Sequence, residues 1–252
     1  MSSSEILHIK KLEKTYQGGQ RVLVGLDLII HQGDIYGLLG PNGAGKTTTV
    51  NIISGLLKAD SGMVEMFGKP YGENQRWIKS HFGIVPQQIA LLPELTAYEN
   101  LWVFGSMLGM DASSLKARIE GLLDQFGLAT FKRKRVSAFS GGMKRMVNLM
   151  VGILHKPDFL ILDEPTVGID VQSKVLILDS LKKMNAEGMT ILYTSHDMEE
   201  AQRLCTRVGI IDGGKLVAED SPEGLMSACP GCNDLESVYL SLTGKTLRNM
   251  ED

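Results

Sequence analysis

The sequence of 252 residues contains only three cysteines, too few for a framework of disulfide bonds, and this fits a reducing compartment. It also lacks long hydrophobic runs. The longest cover only a few residues, whereas a helix that spans a bilayer needs about 20 apolar residues. Residues 1–5 lack the basic region and apolar stretch of a signal peptide. These absences predict a soluble chain, for which any role at a membrane requires a partner.

No charge of one sign prevails, because 26 Lys and Arg residues stand against 29 Asp and Glu residues and the net charge is -3. A general binder of nucleic acid phosphates is expected to be basic, so no direct nucleic acid binding is expected. The basic run at residues 132–135 is short and is interpreted as a solvated connector. Hydrophobic residues make up 43% of the sequence and charged residues 22%, as in globular proteins with a substantial core.

Two of the cysteines, Cys229 and Cys232, form a C-x-x-C pattern. A zinc site needs further ligands, and neither a second C-x-x-C nor a nearby pair of histidines is present. No βαβ pattern typical of thioredoxin surrounds the pair. We predict a turn that carries two thiols, and a local redox or metal role is the alternative.

A glycine-rich segment follows a short apolar run at residues 35–39 and precedes a predicted helix at residues 47–57. This phosphate loop matches the pattern G-x-x-x-x-G-K-[ST] and comprises Gly40, Pro41, Asn42, Gly43, Ala44, Gly45, Lys46, Thr47 and Thr48. A strand, a glycine loop and a helix N-terminus together direct backbone N–H groups and a helix dipole at one anion. Lys46 adds a charge for the β- and γ-phosphates, and the Thr47 hydroxyl can bind Mg²⁺. The segment therefore predicts that the chain binds a nucleoside triphosphate.

An apolar run at residues 159–162 ends in two carboxylates, Asp163 and Glu164. In an open parallel sheet, ligands bind beyond the carboxyl ends of the strands, which predicts both acids at the mouth of the site. Asp163 is then a ligand of Mg²⁺, directly or through water, and Glu164 orients or deprotonates a water that attacks the γ-phosphate. The alternative is a strand that merely ends in acids facing the solvent.

The apolar pattern changes along the chain. Short runs predict strands in its first part, at residues 6–12, 22–30, 35–39, 63–67 and 82–85. Residues 92–155 indicate helices only, and the first of these begins with the capping-box pair of Thr96 and Glu99. One face of that helix is predicted to carry Leu101, Phe104 and Leu108. Strands and helices alternate again from residue 156 to residue 220, which favours a parallel sheet covered on both faces, and the tail at residues 221–252 contains one helix.

A second helix N-terminus that could receive an anion begins at Ser140-Gly141-Gly142, because a hydroxyl and two glycines leave N–H groups uncovered by side chains. The order of all these motifs, over nearly the full length, resembles the nucleotide-binding subunits of ATP-binding cassette (ABC) transporters. The matching segments, in chain order, are the phosphate loop, Gln87 after a short strand, Ser140-Gly141-Gly142, Asp163-Glu164, residues 166–170 and residues 195–197.

The resemblance implies an α/β fold, with a P-loop NTPase (RecA-like) core, an N-terminal antiparallel β subdomain and an inserted α-helical subdomain. It implies a single ABC ATPase domain over residues 1–252. Within it, the β subdomain and the P-loop core occupy residues 1–91 and 156–220, a helical signature subdomain occupies residues 92–155, and residues 221–252 form a tail with a helix.

The resemblance also assigns roles to four residues outside the phosphate loop and the acidic pair. Gln87 resembles the glutamine that meets Mg²⁺ and the lytic water and senses the membrane domain, and His196 resembles the switch histidine at the γ-phosphate. Tyr16 resembles the aromatic residue that stacks on adenine. Asp170 resembles a residue that links two nucleotide sites across a dimer. The plainer interpretations are a loop amide for Gln87, a structural histidine for His196 and an exposed strand-end tyrosine for Tyr16.

In the family that the chain resembles, two subunits enclose ATP head to tail. The phosphate loop of one faces Ser140, Gly141 and Gly142 of the other, which we name the signature segment. Met143 stands where many members carry Gln, so any polar contact from that side chain is absent. This variant, with residues 91–96 and the tail at 235–244, resembles the branch that exports drugs, lipids and antibiotics.

The resemblance therefore implies an ATPase that binds ATP and Mg²⁺ and powers transport, with export favoured, through separate integral membrane permease subunits. Lys46, Gln87, Glu164 and His196 are its predicted catalytic residues, and Thr47, Gln87 and Asp163 its predicted metal ligands. The subunit pairs as a homodimer or a heterodimer, peripheral on the cytoplasmic face of the cell membrane. Alternatives are an importer subunit, a soluble ABC ATPase that acts on nucleic acid or ribosomes, and a regulatory cassette without catalysis. The transported substrate is not encoded in these motifs.

Overall fold

The structure, a computed structural model, describes residues 4–244. Residues 1–3 of the N-terminal segment and residues 245–252 of the predicted tail lie outside the described residues. The chain divides into two compact units. The first combines Met1–Ile78 with Thr190–Asp252, and the second is Lys79–Met189.

Ten strands and nine α-helices occur in the described part. The strands are β1 (Glu5–Thr15), β2 (Arg21–His31), β3 (Ile35–Leu39), β4 (Ser61–Met66), β5 (Lys69–Pro70), β6 (Phe82–Val85), β7 (Phe159–Asp163), β8 (Thr190–Ser195), β9 (Arg207–Asp212) and β10 (Lys215–Asp220). The helices are α1 (Lys46–Ile53), α2 (Tyr71–Lys79), α3 (Ala97–Met107), α4 (Ala112–Gln125), α5 (Gly141–Ile153), α6 (Val171–Ala186), α7 (Met198–Leu204), α8 (Pro222–Ser227) and α9 (Leu235–Thr243).

The first unit contains an antiparallel sheet with the strand order β2-β1-β4-β5. Strand β1 lies in the middle and pairs with β2 on one side, where Leu7 faces Ile30, and with β4 on the other, where Leu7 faces Met66. All three residues are fully buried. This sheet agrees with the antiparallel β subdomain implied for the first part of the chain.

A second sheet of the first unit has β3 at its centre. Strand β3 pairs in parallel with β8 and with β9, and every residue of β3 and of β8 is buried. Continuous apolar burial of this kind is typical of parallel strands covered on both faces. Strand β10 joins β9 in an antiparallel hairpin, turned at Gly213 and Gly214, which both have positive φ (54° and 77°). The alternation of strands and helices predicted the parallel pairing of β3 with its neighbours.

The second unit contains a parallel pair of strands, in which β6 runs beside β7 from Phe82 opposite Phe159 to Val85 opposite Leu162. The chain between these strands forms α3, α4 and α5, as the helical pattern predicts. The capping box of α3 is present: Thr96 Oγ1 accepts from the Glu99 N–H (3.1 Å), and Glu99 accepts from the Thr96 N–H (2.8 Å).

One detail of the predicted face of α3 is wrong. Leu101 is fully buried, but 45% of the Leu108 surface is exposed. The reason is that α3 ends at Met107 and Leu108 is its C-cap, beyond the last turn that packs. The small residue Gly105 is buried instead, because the side chain of Leu115 occupies the space where its Cβ would lie.

The C-x-x-C segment is a turn, as predicted, and the Cys232 N–H donates to the Cys229 carbonyl (3.1 Å). The expectation of two thiols is wrong, since Cys229 and Cys232 are joined in a disulfide bond. The turn makes this possible because it brings the two Cα atoms to 5.5 Å. The third cysteine, Cys205, is free and buried, and burial raises the pKa of its thiol.

Among residues 4–244, no helix is long and apolar enough to cross a membrane.

Candidate functional site

The phosphate loop connects β3 to α1 in the first unit, and close packing requires glycine at two of its positions. A Cβ at Gly40 would lie 2.2 Å from the carbonyl oxygen of Ile211. Gly45 has φ 111°, and a Cβ there would lie 2.7 Å from Leu23. Because backbone and side chains already fill both places, the loop adopts its shape only with glycine there.

Helix α1 begins at Lys46 directly after Gly45, so its N-cap residue carries no side chain, and its first turn contains no acidic residue. The positive end of the helix dipole therefore meets no negative side chain of its own first turn. The Lys46 ammonium donates to the carbonyl of Gly40 (2.8 Å) and to that of Pro41 (3.1 Å), and only 4% of the residue is exposed. These two hydrogen bonds hold the positive charge of Lys46 against the phosphate loop.

Two hydroxyls follow Lys46 on α1. Thr47 is exposed, whereas Thr48 is buried and lies 3.3 Å from the Tyr16 hydroxyl. Tyr16 follows β1 and exposes 40% of its surface. The structure thus brings the predicted adenine-stacking residue next to the helix that begins with Lys46 and the predicted metal ligand Thr47.

His196 directly follows β8, the strand that pairs with β3. The loop is tied to the end of this strand, because the Gly40 N–H donates to the Ser195 carbonyl (3.3 Å). The turn at His196 is fixed on its other side as well. Asp197 donates its N–H to Ser195 Oγ (2.9 Å) and caps α7 by accepting from the Glu200 N–H (2.9 Å). The first unit therefore carries the predicted site residues His196, Tyr16, Lys46 and the adjacent threonines.

In the second unit, Asp163 ends β7 and Glu164 follows it. Only 3% of Asp163 and 5% of Glu164 are exposed. Glu164 has φ 46°, a left-handed conformation that is uncommon for residues other than glycine. Burial lowers the pKa of the nearby Arg145 guanidinium, and the negative charge of Asp163 opposes that effect.

The signature segment lies against the start of α6. Ser140 is the N-cap of α5 and accepts from the Met143 N–H (3.2 Å). A Cβ at Gly142 would lie 2.0 Å from Ser173 Oγ and 2.9 Å from a carboxylate oxygen of Asp170. Asp170 caps α6 by accepting from the N–H of Ser173 (2.9 Å) and from its hydroxyl (2.7 Å), and these hydrogen bonds lower the pKa of Asp170.

Gln87 follows β6 and Pro86 and is exposed. Sequence reasoning missed three residues that position the predicted site in this unit: Ser173, Arg145 and Asn148. Arg145 donates to the Pro86 carbonyl (3.1 Å), and Asn148 accepts from the Ala90 N–H (3.2 Å). For Arg145 and Asn148, the signal in the sequence was the presence of polar residues on α5, whose other buried positions are apolar residues or glycine. The predicted site residues that lie in the second unit are Gln87, Ser140, Gly141, Gly142, Asp163, Glu164 and Asp170.

Residues 23–167 of the chain match the family model described as ABC transporter. The chain belongs to the ABC transporter family. This membership confirms the predicted fold class and the predicted function: an ATPase subunit, which binds and hydrolyses ATP and is coupled to transport. ABC ATPase subunits of this kind work with membrane permease components.

Two relatives of this ABC transporter subunit are ATP-binding proteins of named systems. The chain is 44% identical over 226 residues to the linearmycin resistance ATP-binding protein LnrL of Bacillus subtilis (strain 168), and the alignment covers 90% of this chain and 72% of that protein. It is 41% identical over 230 residues to the Nod factor export ATP-binding protein I of Paraburkholderia xenovorans (strain LB400), with 91% and 75% covered.

Solved structures agree with this membership. A structure of an ATP binding subunit of an ABC transporter superposes with a TM-score of 0.85 at 28% identity and covers 94% of this chain and 99% of that one. CbiO1 from Clostridium perfringens, part of the ABC transporter complex cbiONQ, gives a TM-score of 0.80 at 27% identity, with 88% and 91% covered. The ABC transporter fold therefore extends well beyond the segment that the family model matches.

Proposed function

We propose that this chain is the ATPase subunit of an exporter, attached to membrane permease subunits at the cytoplasmic face of the cell membrane. The support is the pair of relatives named for antibiotic resistance and for Nod factor export, at 44% and 41% identity. An importer subunit remains the alternative, because the catalytic motifs of the family do not encode the direction of transport. The identity of the substrate belongs to the permease.

The residues of the first unit fit a nucleoside triphosphate. The phosphate loop is packed so closely at Gly40 and Gly45 that no side chain can enter it. Lys46 lies over that loop, Thr47 is exposed at the start of α1, and the first turn of this helix carries no acid. We propose that the loop and Lys46 hold the phosphates and that Tyr16 stacks on the base.

The donor residues also fit Mg²⁺. Mg²⁺ binds through one or two carboxylates together with substrate phosphates and water, rather than in a complete cage of protein ligands. Within residues 4–244, no cluster of three or more His, Cys, Asp or Glu residues could hold a metal ion alone. We propose that Thr47, Gln87 and Asp163 supply the protein ligands. When bound, Mg²⁺ neutralises charge on the phosphates.

In the proposed mechanism, positioned charges and hydrogen bonds do most of the work, as in phosphoryl transfer generally. Glu164 orients the attacking water or accepts its proton, and its constrained backbone fixes the direction of the carboxylate. Gln87 also contacts this water, and His196 contacts the γ-phosphate. Lys46 stabilises the negative charge on the phosphate oxygens.

We also propose that two ATPase subunits pair head to tail, as a homodimer or with a sister cassette. The exposed Ser140 and Gly141 begin a helix, and Asp170 is exposed beside them. This arrangement supports the proposal because a helix N-terminus with small side chains can approach phosphates of a nucleotide held by a second subunit.

The proposal is tested by purifying the tagged chain from gently solubilised native membranes and identifying its partners by mass spectrometry. We expect stoichiometric recovery of a polytopic membrane protein. Recovery with ribosomes or nucleic acid instead would contradict a transport function. Direction is then tested with a substrate of the recovered permease: cells that express Glu164→Gln in place of the unaltered chain should accumulate more of it if the subunit drives export, and less if it drives import.

A further inference from the structure

Three exposed residues, Gln87, Gln88 and Ile89, form a segment whose two ends are attached to the same helix. We name it the Gln87 segment. At its start, the Pro86 carbonyl accepts from Arg145 Nη1 (3.1 Å) and, over a longer distance, from Asn148 Nδ2 (3.5 Å). At its end, the Ala90 N–H donates to Asn148 Oδ1 (3.2 Å). A single amide side chain therefore bridges both ends of an otherwise exposed loop.

Both anchoring side chains are deeply buried, since 3% of Asn148 and 5% of Arg145 are exposed. A buried polar group costs free energy unless its hydrogen bonds are made, and apolar residues of similar size usually stabilise such a position as well or better. Arg145 keeps a buried Nε without a hydrogen-bond partner among the described residues. Stability alone does not explain two polar side chains on this face of α5.

The position of these anchors on α5 suggests their purpose. The helix begins at the signature segment and reaches Arg145 and Asn148 after about one and two turns, so an α-helix connects the two regions over roughly 12 Å. Arg145 also lies in the field of Asp163, the proposed Mg²⁺ ligand. One helix thus begins within the signature segment, bonds to both ends of the Gln87 segment and places the charge of Arg145 near Asp163.

We propose that Asn148, supported by Arg145, is a positioning residue that holds the backbone of the Gln87 segment at a fixed place against α5. The inference rests on the proposed role of Gln87 in hydrolysis. Asn148 contacts neither nucleotide nor metal in this proposal. It determines where Gln87 stands by fixing the backbone on both sides of it, and a displacement of the segment moves the helix that starts at the signature segment.

The chain offers a matched control in Asn100 on α3. This asparagine is also buried, with 0% of its surface exposed, and it also bridges a loop: it accepts from the Leu92 N–H (2.8 Å) and donates to the carbonyls of Leu92 and Thr96 (both 3.0 Å). The bridged loop does not contain Gln87. Asn100→Ala therefore removes a comparable buried amide without releasing the Gln87 segment.

A first experiment measures hydrogen exchange of the Ala90 amide in the full chain without nucleotide. Ala90 is exposed, so its protection depends on the bond to Asn148. We expect exchange about tenfold faster in Asn148→Ala, near-normal exchange in Asn148→Asp, which keeps an acceptor oxygen, and no change at Ala90 in Asn100→Ala. Equal exchange in Asn148→Ala and the unaltered chain would overturn the proposal, whatever the activity of the variants.

A second experiment is a double-mutant cycle on ATP turnover. Loss of the hydrogen bonds of Asn148 predicts a kcat about 3- to 10-fold lower in Asn148→Ala, with nearly unchanged affinity for ATP measured without Mg²⁺. In a Gln87→Ala background the same substitution should have little further effect, because the residue that it positions is gone. Asn100→Ala should instead cause the same fold-change in both backgrounds.

The outcomes separate the inference from the proposed function. If Gln87→Ala turns over ATP like the unaltered chain, the role of Gln87 fails and the inference fails with it. If Gln87→Ala is impaired but Asn148→Ala lowers kcat equally in both backgrounds, the positioning role alone is overturned. Thermal unfolding of each variant identifies one that is merely unfolded, and Asn148→Asp then replaces Asn148→Ala in the cycle, with an intermediate loss expected.

Discussion

Glu164 has an unusual backbone conformation at a buried position. Only 5% of the residue is exposed, and its backbone is left-handed with φ 46°. A conformation of this kind costs about 1–3 kcal/mol for a residue other than glycine. Such strain persists where the surrounding structure fixes a side chain for function. Asp163, one residue earlier, ends a regular strand, which is consistent with the different roles proposed for the two acids.

We expect Glu164→Gln to bind ATP with near-normal affinity and to hydrolyse it at least about 100-fold more slowly, because an amide cannot accept the proton of the attacking water. The substitution preserves the size of the side chain, so the strained turn should remain intact. Steady-state phosphate release and binding of a fluorescent ATP analogue measure the two properties separately. Turnover at the normal rate would contradict the assignment of Glu164.

Lys46→Ala provides the contrast. The ammonium group bonds to two carbonyls of the phosphate loop and supplies charge for the phosphates, so its removal should weaken nucleotide binding as well as turnover. The pair of variants therefore distinguishes a residue needed mainly for the chemical step from one needed already for binding. Equal losses of binding in both would contradict this division.

At the scale of elements, the sequence predicted those parts whose signal is local. The strand before the phosphate loop and the capping box of α3 were both identified, because an apolar run and a Thr/Glu spacing carry their own physical cause. The position of the phosphate loop between a strand and a helix was also predicted, because the apolar run before the loop and the helical pattern after it are local signals.

Other elements had no such local signal. Helix α2 was missed because it buries only two residues, Tyr71 and Ile78, and so shows little periodicity. Asn148 and Ser173 were missed because their partners are distant in sequence or are backbone atoms. Asn148 bonds to the backbone of Pro86 and Ala90, and Ser173 occupies the space where a Cβ of Gly142 would lie. A polar residue on an apolar helix indicates a partner but does not say which.

The contact between α5 and α6 gives a prediction at this scale. Gly142→Ala places a Cβ 2.0 Å from Ser173 Oγ, so the first turns of the two helices must separate. Overpacking of this size costs about 1–3 kcal/mol, and we expect the Tm to fall by about 5 °C. Thermal unfolding followed by circular dichroism measures the shift.

Gly141→Ala is the matched control, because the nearest atom to its Cβ is the Gly168 carbonyl oxygen at 3.7 Å, an ordinary contact. Its Tm should stay within about 2 °C of normal. Adding Ser173→Gly to Gly142→Ala removes the obstructing side chain and should recover part of the loss. Equal Tm values for Gly141→Ala and Gly142→Ala would show that the helix contact is not as close as described.

At the scale of the whole molecule, the proposed mechanism needs a second ATPase subunit, because in the proposed head-to-tail arrangement the signature segment of one subunit faces the phosphate loop of the other. If the dimer is held together by ATP, a variant that binds ATP without hydrolysing it should accumulate as a dimer. Glu164→Gln is such a variant, and the unaltered chain should return to monomers as hydrolysis proceeds.

Size-exclusion chromatography with light scattering tests this with the purified Glu164→Gln chain. We expect a mass near twice 27.6 kDa with ATP and Mg²⁺, and a monomer without nucleotide. Adding Lys46→Ala should abolish the dimer, because the nucleotide that links the subunits is no longer held. A dimer that forms equally without ATP would contradict the nucleotide-dependent association. A monomer at saturating ATP would contradict a homodimer, and a sister cassette recovered from native membranes would then be the required partner.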